Sequence, residues 1–512
     1  MVDSLLKPLL LFFLPVFCFA STPIFSSITA TANSPNSATV SVTVTGGVSM
    51  QIQASTDTSY GIKTPWFTVA SSAIAAQLQA ETLYNVRVVA CDQAVTAWST
   101  CGGNQGISET ATVTTSAAIT SWQTLWTMGA TPSYNAVQYP LNGRWMDGDT
   151  GYWAWLANGT IVAQHNDGIG PQGSISSNVF MTTVDSAFTN FVLLNSLSGF
   201  GPLNTPNIPG CYSDGSTEKS SSLLAVGNTL YWIAYRQSGT GYIQADGAVY
   251  RSDDGGATWY NPSHTSGQAN ANGDPACPGA GVMWNGHGKF SLPRFVKGGG
   301  QGGVVTNPVH GIDAYQYIQF RDNDNTFTYL ARVFKNLNYQ GISNYEYYVG
   351  SIGGDEDDPA NWSTTSSDAV AIGTLGDHQS DWEIQYLPDF GRFVVTAENV
   401  LGLNDYRLVV LDSARLTGPY AVRYQEPTRP PFNAVAGQYL ERAWLTVWMP
   451  TYTSTGTTAA PSATVQVLQN GTFTQQNPGD PPNDMYSPWM STMTIVRDTP
   501  GTPTMGALRG GH

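Results

Sequence analysis

Two short acidic segments flank one predicted hairpin. Residues 145–150 read Trp-Met-Asp-Gly-Asp-Thr, and residues 165–168 read His-Asn-Asp-Gly. Between them, Asn158-Gly159 separates two aromatic and apolar runs, which is a strong hairpin signal. A three-residue loop ending at Gly159 would place Asp149 directly opposite Asp167, whereas a two-residue turn would shift the partner by one residue. Either register brings both carboxylates to the same end of the hairpin.

Paired carboxyl groups suit the cleavage of a glycosidic bond, in which one protonates the leaving oxygen and the other activates water or attacks the anomeric carbon. Close carboxylates raise each other's proton affinity, so one can stay a proton donor in mildly acidic solution. Direct opposition of Asp149 and Asp167 would favour retention of configuration, and inversion stays open. Aspartates beside glycines are also ordinary turn residues, so spacing alone leaves a purely structural role open. If this pair is not catalytic, the acids to consider are Asp147, Glu218, Asp381 and Glu383.

Other residues are candidates for lining the mouth of the predicted ring of sheets and holding sugar hydroxyls there. Trp145 and Asp147 lie in the first acidic segment, Arg294 follows Ser291-Leu-Pro293, and a charged cluster precedes a predicted strand near residue 382. Exposed loop charges also commonly bind nothing specific. The predicted substrate-binding residues from these segments are Trp145, Asp147, Arg294, His378, Asp381 and Glu383.

The start of the chain and its cysteines indicate an oxidising compartment. Residues 1–20 combine Lys7, an apolar run and small residues around Ala20, which is the pattern of a cleaved secretory signal peptide. One of the five cysteines lies in that leader. By compartment and parity, the other four predict the disulfides Cys91 to Cys101 and Cys211 to Cys277. We therefore expect a secreted, extracellular or periplasmic protein.

No cofactor and no metal site are expected. The six histidines are scattered, which argues against a zinc site built with the cysteines. Asp322-Asn-Asp324-Asn325 lacks the glycine and the distal glutamate of a calcium-binding EF-hand loop. The segment Asp355 to Asp358 is interpreted as a solvated acidic loop.

Charge and composition restrict the partners. A formal charge of -15 argues against nucleic acid, which needs a basic surface. Only 11% of residues are charged, while Trp, Tyr, Gly and Asn are abundant, and such a surface suits neutral polysaccharide or oligosaccharide. We expect a monomer that contacts no membrane once the leader is removed.

The larger part of the chain predicts an all-β propeller. From Trp122 to Val496, strand-like runs alternate with Gly, Asn and Asp turns and fall into separate groups. Repeated small sheets are typical of propeller blades. The sequence predicts five blades, with six as the alternative, in a catalytic domain over residues 118–500 followed by a flexible tail over 501–512. The groups span residues 145–168, 223–260, 290–350, 382–424 and 439–496.

Residues 22–117 predict a small β-sandwich of the immunoglobulin-like kind. Alternating runs such as Ala38 to Val44 indicate half-buried strands. The run from Leu78 to Val88 resembles the corner before strand F of fibronectin type III domains, where a tyrosine hydroxyl, here that of Tyr84, anchors the corner. Such modules are usually spacers or adhesive arms, so we assign no catalysis to this one.

Residues 252–259, Ser-Asp-Asp-Gly-Gly-Ala-Thr-Trp, resemble the Asp-box motif at every defining position. In the families that have it, the box is a hairpin turn on a propeller blade, away from the catalytic centre. The resemblance implies that Asp254 and Thr258 bond turn backbone groups while Trp259 packs beneath them.

Four further segments together resemble glycoside hydrolase family 183, the endo-D-arabinanases. They are Gly-Asp-Thr at 148–150, Asn-Asp-Gly at 166–168, Lys-Ser-Ser-Ser at 219–222 and Ser-Asp-Trp-Glu-Ile-Gln-Tyr at 380–386. The resemblance is loose and has long unmatched inserts. It implies a hydrolase of D-arabinofuranan whose catalytic aspartates fall on Asp149 and Asp167, and it adds Lys219 to the substrate-binding residues.

Two rival functions remain. A sialidase would also be a propeller with Asp-boxes, but the Arg-Ile-Pro motif is absent, only Tyr345-Glu346 resembles its nucleophile pair, and a single box is few for that family. A glycan-binding propeller without catalysis needs only stacking aromatics, and nothing in the sequence argues against it.

Overall fold

The computed structural model describes most of the chain. The described residues are 21–33, 36–79, 81–116, 126–128, 133–135, 146–171, 177–184, 190–196, 217–237, 244–259, 284, 289–298, 300–305, 308–322, 327–373, 382–388, 390–400, 406–425, 440–448, 453–454, 462–473 and 485–497. The predicted signal peptide, the predicted C-terminal tail and the cysteines Cys211 and Cys277 lie outside the described residues. Within the described ranges we find no helix with the length and apolarity that crossing a bilayer requires.

The first part of the chain forms two facing antiparallel sheets. One sheet has the order β1-β2-β6, and the other has the order β4-β3-β7-β8 with β5 pairing to β3 and β9 to β7. The strands are β1 (Ile24–Ala32), β2 (Ala38–Thr45), β3 (Ser49–Ser55), β4 (Ile62–Lys63), β5 (Phe67–Thr68), β6 (Ser72–Ala75), β7 (Leu83–Cys91), β8 (Gln105–Ile107) and β9 (Ala111–Thr114).

Two local predictions for this sandwich are confirmed. The Tyr84 hydroxyl accepts a hydrogen bond of 2.9 Å from the backbone N–H of Gln79, so it anchors the corner as expected. Cys91 and Cys101 form a disulfide with an S–S distance of 1.96 Å. The fibronectin type III assignment and the domain boundaries themselves stay predictions.

The rest of the described chain is arranged in further antiparallel sheets. Their strands are β10 (Trp126–Met128), β11 (Ser133–Asn135), β12 (Met146–Trp155), β13 (Ile161–Pro171), β14 (Ser177–Val184), β15 (Phe191–Ser196), β16 (Thr217–Val226), β17 (Thr229–Gln237), β18 (Gln244–Ser252), β19 (Ser291–Lys297), β20 (Tyr315–Arg321), β21 (Thr328–Phe334), β22 (Tyr345–Tyr348), β23 (Trp362–Ser363), β24 (Trp382–Leu387), β25 (Arg392–Val400), β26 (Tyr406–Ser413), β27 (Ala421–Gln425), β28 (Leu440–Trp448), β29 (Thr453–Ser454), β30 (Ser462–Phe473) and β31 (Met485–Arg497). Single 3-10 turns lie at Gln301–Gly303, Ile342–Asn344, Pro359–Asn361 and Ser366–Asp368.

These sheets close into a ring. Strands β12, β16, β19, β24 and β28 each begin one sheet, and each contacts the next in that order, with β28 returning to β12. The first two sheets are β12 to β15 and β16 to β18, the third and fourth begin at β19 and β24, and the last contains β28, β30 and β31. A ring of small sheets around a common axis is the arrangement of a β-propeller.

Two features of this ring were not predicted. Strands β10 and β11, from the start of the region, pair antiparallel with β31 from its end, so the last sheet is completed by the first strands. Strands β19 and β24 also pair in parallel, with Val296 opposite Ile384, which joins the third and fourth sheets edge to edge. Both pairings connect distant segments, and both protect strand edges that would otherwise be open.

The sandwich packs against the third sheet instead of standing apart as an arm. Buried side chains of the sandwich form one apolar core with those of the third sheet, and the rings of Phe67 and Phe334 lie 5.2 Å apart. The Ser37 hydroxyl donates a hydrogen bond of 2.5 Å to Asp313 Oδ2 in the segment before β20. Apolar burial of this kind resists separation of the two parts.

A hydrogen-bonded clasp joins the first three sheets at the end of the ring where β12 and β16 finish. The N–H of Ala157 donates to the carbonyl of Gly227 at 2.8 Å, and the N–H of Gly227 donates to that of Gly302 at 2.9 Å. The Gln301 side-chain amide donates to the Ala157 carbonyl at 2.8 Å, so each of the three segments is hydrogen-bonded to the other two.

Candidate active site

The hairpin of β12 and β13 carries the two predicted catalytic aspartates. Its loop is the three-residue one: the N–H of Leu156 donates to the Thr160 carbonyl at 2.9 Å, and Gly159 has a φ of +91°. Near the loop the register is the one expected, with Trp155 opposite Ile161. The loop prediction is therefore confirmed.

The predicted direct opposition of Asp149 and Asp167 is wrong. Asp149 lies opposite Asn166, because the pairing of β12 with β13 shifts register between Asp149 and Tyr152. The pairing shifts again between Asp147 and Asp149. The backbone positions of both aspartates still lie at the same end of the hairpin, one residue out of alignment. The preference for retention therefore loses its geometric basis. Such bulges are enriched beside active sites.

The other predicted site residues are distributed unevenly. Trp145, His378 and Asp381 lie outside the described residues, and Asp147 lies on β12 opposite Gly170. Lys219 lies on β16, in the ring, and its side chain is buried. Their roles in binding sugar stay predictions.

Arg294 lies wholly inside the ring. Its Nε donates to the carbonyl of Trp382 at 2.9 Å, and its Nη1 donates to the carbonyl and hydroxyl of Ser221. The guanidinium also lies 4.9 Å from the ring centroids of both Tyr152 and Trp382. Arg294 thus links β19 to β12, β16 and β24, and a planar guanidinium suits such combined bonding and stacking.

Glu383 is also fully buried and forms an ion pair across the β19 and β24 junction. Its Oε1 lies 2.5 Å from Lys297 Nζ. The same ammonium donates to the carbonyl of Trp153 on β12 at 3.0 Å. The pairing could not be read from the sequence, because Lys297 and Glu383 meet only through the unpredicted parallel pairing of their strands.

His165 occupies an aromatic box on β13. Its ring stacks on Phe180 with centroids 5.0 Å apart, and the ring of Trp153 lies edge-on at 5.9 Å. Its Nε2 hydrogen-bonds the Thr182 hydroxyl at 3.1 Å. Burial lowers the pKa of His165 to about 3, so the imidazole is neutral at neutral pH.

The acidic segment near residue 356 is not the solvated loop that was expected. Glu356 is fully buried, accepts the N–H of Leu416 at 2.7 Å and lies 3.3 Å from Arg415 Nη1. His310 Nδ1 lies 3.3 Å from Asp357 Oδ2 and 3.9 Å from Glu356 Oε1. Burial acts to lower the pKa of His310, but the two carboxylates outweigh it and raise the pKa to about 9.

We assign no metal to this cluster. Ligand atoms of His310, Asp355 and Glu356 lie within 4.8 Å of one another, a spacing that an ion could bridge. Arg415 Nη1 already lies 2.9 Å from Asp355 Oδ1 and 3.3 Å from Glu356 Oε2. A fixed positive charge therefore occupies the place that a cation would take.

In the turn at residues 252–259, Asp254 and Trp259 make the contacts predicted for them, whereas the Thr258 hydroxyl donates to the Asp254 side chain. The Asp-box assignment itself stays a prediction. Asp254 Oδ1 accepts from the N–H of Thr258 at 2.9 Å, and Gly256 N–H donates to the Ser252 hydroxyl at 2.8 Å. Trp259 is buried against Trp232, with ring centroids 5.7 Å apart. Partial burial acts to raise the pKa of Asp254, but hydrogen bonds from Thr258 and Ser252 outweigh it and lower the pKa.

No family model and no curated protein sequence matches the chain. Among solved structures, it is similar to a protein of Bacteroides ovatus ATCC 8483, with 15% identity and a TM-score of 0.40 over 68% of this chain and 86% of that one. It is similar to the catalytic domain of a GH62 alpha-L-arabinofuranosidase of Coprinopsis cinerea, with 10% identity and a TM-score of 0.35 over 73% and 98%. It is also similar to GH43B of the Bacteroides ovatus xyloglucan locus, with 10% identity and a TM-score of 0.37 over 70% and 54%.

Proposed function

We propose that this chain is a secreted glycoside hydrolase, built on a five-bladed propeller, that cleaves a neutral polysaccharide with Asp149 and Asp167. The observation that carries the proposal is the hairpin of β12 and β13. It brings the backbone of both aspartates to the end of the ring where the first strands begin, and it bulges on either side of Asp149. One aspartate would protonate the leaving oxygen, and the other would activate water or attack the anomeric carbon.

The surrounding residues divide into two groups in this proposal. Trp145, Asp147, Lys219, His378 and Asp381 would hold the sugar, since they begin or precede first strands. Arg294 and Glu383 were also expected to hold sugar, but both are fully buried and bonded to backbone or to Lys297. We assign them the task of fixing the first strands of the ring against one another.

The substrate class extends the proposal. The sequence resemblance to endo-D-arabinanases makes D-arabinofuranan the first substrate to try, and the aromatic, weakly charged composition supports a neutral glycan. Endo-cleavage would release a ladder of oligosaccharides, and exo-cleavage a single small sugar.

The test is incubation of the purified chain with a panel of D-arabinan, α-L-arabinan, arabinoxylan, xyloglucan, β-1,3-galactan and a sialylated glycan, followed by chromatography of the products. We expect new reducing ends from at least one of them. If a glycan binds in a pull-down and none is cleaved, the chain is a binding propeller and the enzyme proposal is wrong. Cleavage restricted to terminal sialic acid from a sialylated glycan would instead favour the sialidase alternative.

A further inference from the structure

The side-chain amide of Asn166 joins the first sheet to the first strand of the second. Its Oδ1 accepts the backbone N–H of Ser220 at 2.9 Å, and its Nδ2 donates to the carbonyl of the same residue at 3.3 Å. The Gln164 amide donates to the same Oδ1 at 3.2 Å. Asn166 is 3% exposed, so these bonds are shielded from water. Hydrogen bonds are stronger in such a buried environment than in water.

Asn166 also lies at the centre of the predicted acid pair. It is the cross-strand partner of Asp149 and directly precedes Asp167. At Ser220 it meets the point where β16 itself shifts register, between Ser220 and Ser222. These bonds therefore connect β13, beside the irregular part of its pairing with β12, to the irregular part of β16. Regular ladder bonds hold the backbone least at such places.

The opposite face of β13 is held independently. His165, the residue before Asn166, packs among aromatic rings and bonds Thr182. The partners of His165 described here, Phe180, Trp153 and Thr182, all lie in the first sheet. We therefore expect changes at His165 or Thr182 to affect the stability of the first sheet, and changes at Asn166 to affect the position of the first sheet relative to the second.

We propose that Asn166 is a positioning residue, which fixes the backbone of Asp149 and Asp167 against the second sheet; this rests on the function proposed above. An amide supplies the donor and the acceptor that one peptide group requires, and alanine supplies neither. Displacement of a reacting group by about 1 Å can lower the rate by about 10²-fold.

The first test compares Asn166→Ala with Thr182→Val, a near-isosteric change on the opposite face. In Asn166→Ala we expect kcat to fall about 10²-fold with KM little changed, and faster hydrogen exchange in the peptide containing Ser220. Thr182→Val should change neither kcat nor hydrogen exchange in the Ser220 peptide, although it removes the bond to His165. Equal loss of kcat in both variants, or full kcat in Asn166→Ala despite faster exchange, would overturn the proposal.

The second test uses Asn166→Asp and the pH profile. An ionised aspartate can accept from Ser220 N–H but repels the Ser220 carbonyl, whereas a protonated one can also donate to it. Activity relative to the parent should therefore rise about tenfold or more as pH falls toward 4, near the pKa of an aspartate. A constant ratio would contradict the assignment. If Asp149→Asn and Asp167→Asn are both active, the proposed function fails, while the exchange result still decides whether the bonds from Asn166 to Ser220 exist.

Discussion

Lys297 and Glu383 form a buried ion pair of 2.5 Å between the first strands of neighbouring sheets. Because Lys297 also donates to the Trp153 carbonyl, three first strands meet at one ammonium group. The ring is therefore held on its inner side by a charge contact as well as by apolar packing.

Removing one partner of this pair should destabilise the protein strongly, because the other charge stays buried. We expect Glu383→Gln or Lys297→Met alone to lower the free energy of unfolding by about 3 to 5 kcal/mol. The double variant Lys297→Met with Glu383→Leu should cost less than either single change. Urea unfolding followed by tryptophan fluorescence measures this, and strictly additive costs would contradict the coupling.

His165 should make the fold sensitive to acid. Its pKa is about 3 when folded, whereas an exposed histidine titrates near 6.5, so below that pH only the unfolded state takes up the proton. The stabilisation is complete above pH 6.5 and is lost as pH falls, by about 1.4 kcal/mol per pH unit. In His165→Phe this dependence should vanish. Urea unfolding of both proteins at pH 6.5, 5.5 and 4.5 gives the difference, and parallel curves would refute the claim.

His310 should have the opposite effect at alkaline pH. Because Glu356 and Asp357 raise its pKa to about 9, its protonation stabilises the folded state fully below the unfolded pKa. That contribution is lost as pH rises from about 6.5 through about 9. Thermal unfolding between pH 6.5 and 9.5 should show a smaller decline in His310→Gln than in the parent. A steeper decline of the melting temperature in His310→Gln than in the parent would contradict the claim.

Two glycines, Gly227 in the hydrogen-bonded clasp and Gly303 next to it, offer a matched pair of backbone tests. Gly303 has a φ of +70°, and a Cβ there would lie 2.2 Å from the Ala225 carbonyl oxygen. Gly227 has a φ of +62°, but its Cβ would meet nothing within 4 Å. Gly227→Ala should cost only the left-handed strain, about 1 to 2 kcal/mol. Gly303→Ala should lower the melting temperature clearly further, and equal shifts would show that the close approach is not real.

The sequence predicted what local patterns determine. The Asn158-Gly159 turn, the Tyr84 anchor and the turn ending at Trp259 each depend on a few adjacent residues, and each forms where it was predicted. The bulges around Asp149 could not be foreseen, because they depend on how β12 fits its neighbours. Burial of Glu356 likewise depends on Arg415 and Leu416, which are about sixty residues away.

The central claim is that Asp149 and Asp167 are the catalytic pair, and the most direct test is the turnover of their asparagine variants. On a glycan that the parent cleaves, Asp149→Asn and Asp167→Asn should each lose several orders of magnitude in kcat with unchanged melting temperature. The control is Asp253→Asn, which removes an exposed carboxylate paired with Arg251 on the second sheet, and it should keep full activity. Near-parental activity in either site variant would contradict the account and direct the search to Asp147, Glu218 and Asp381.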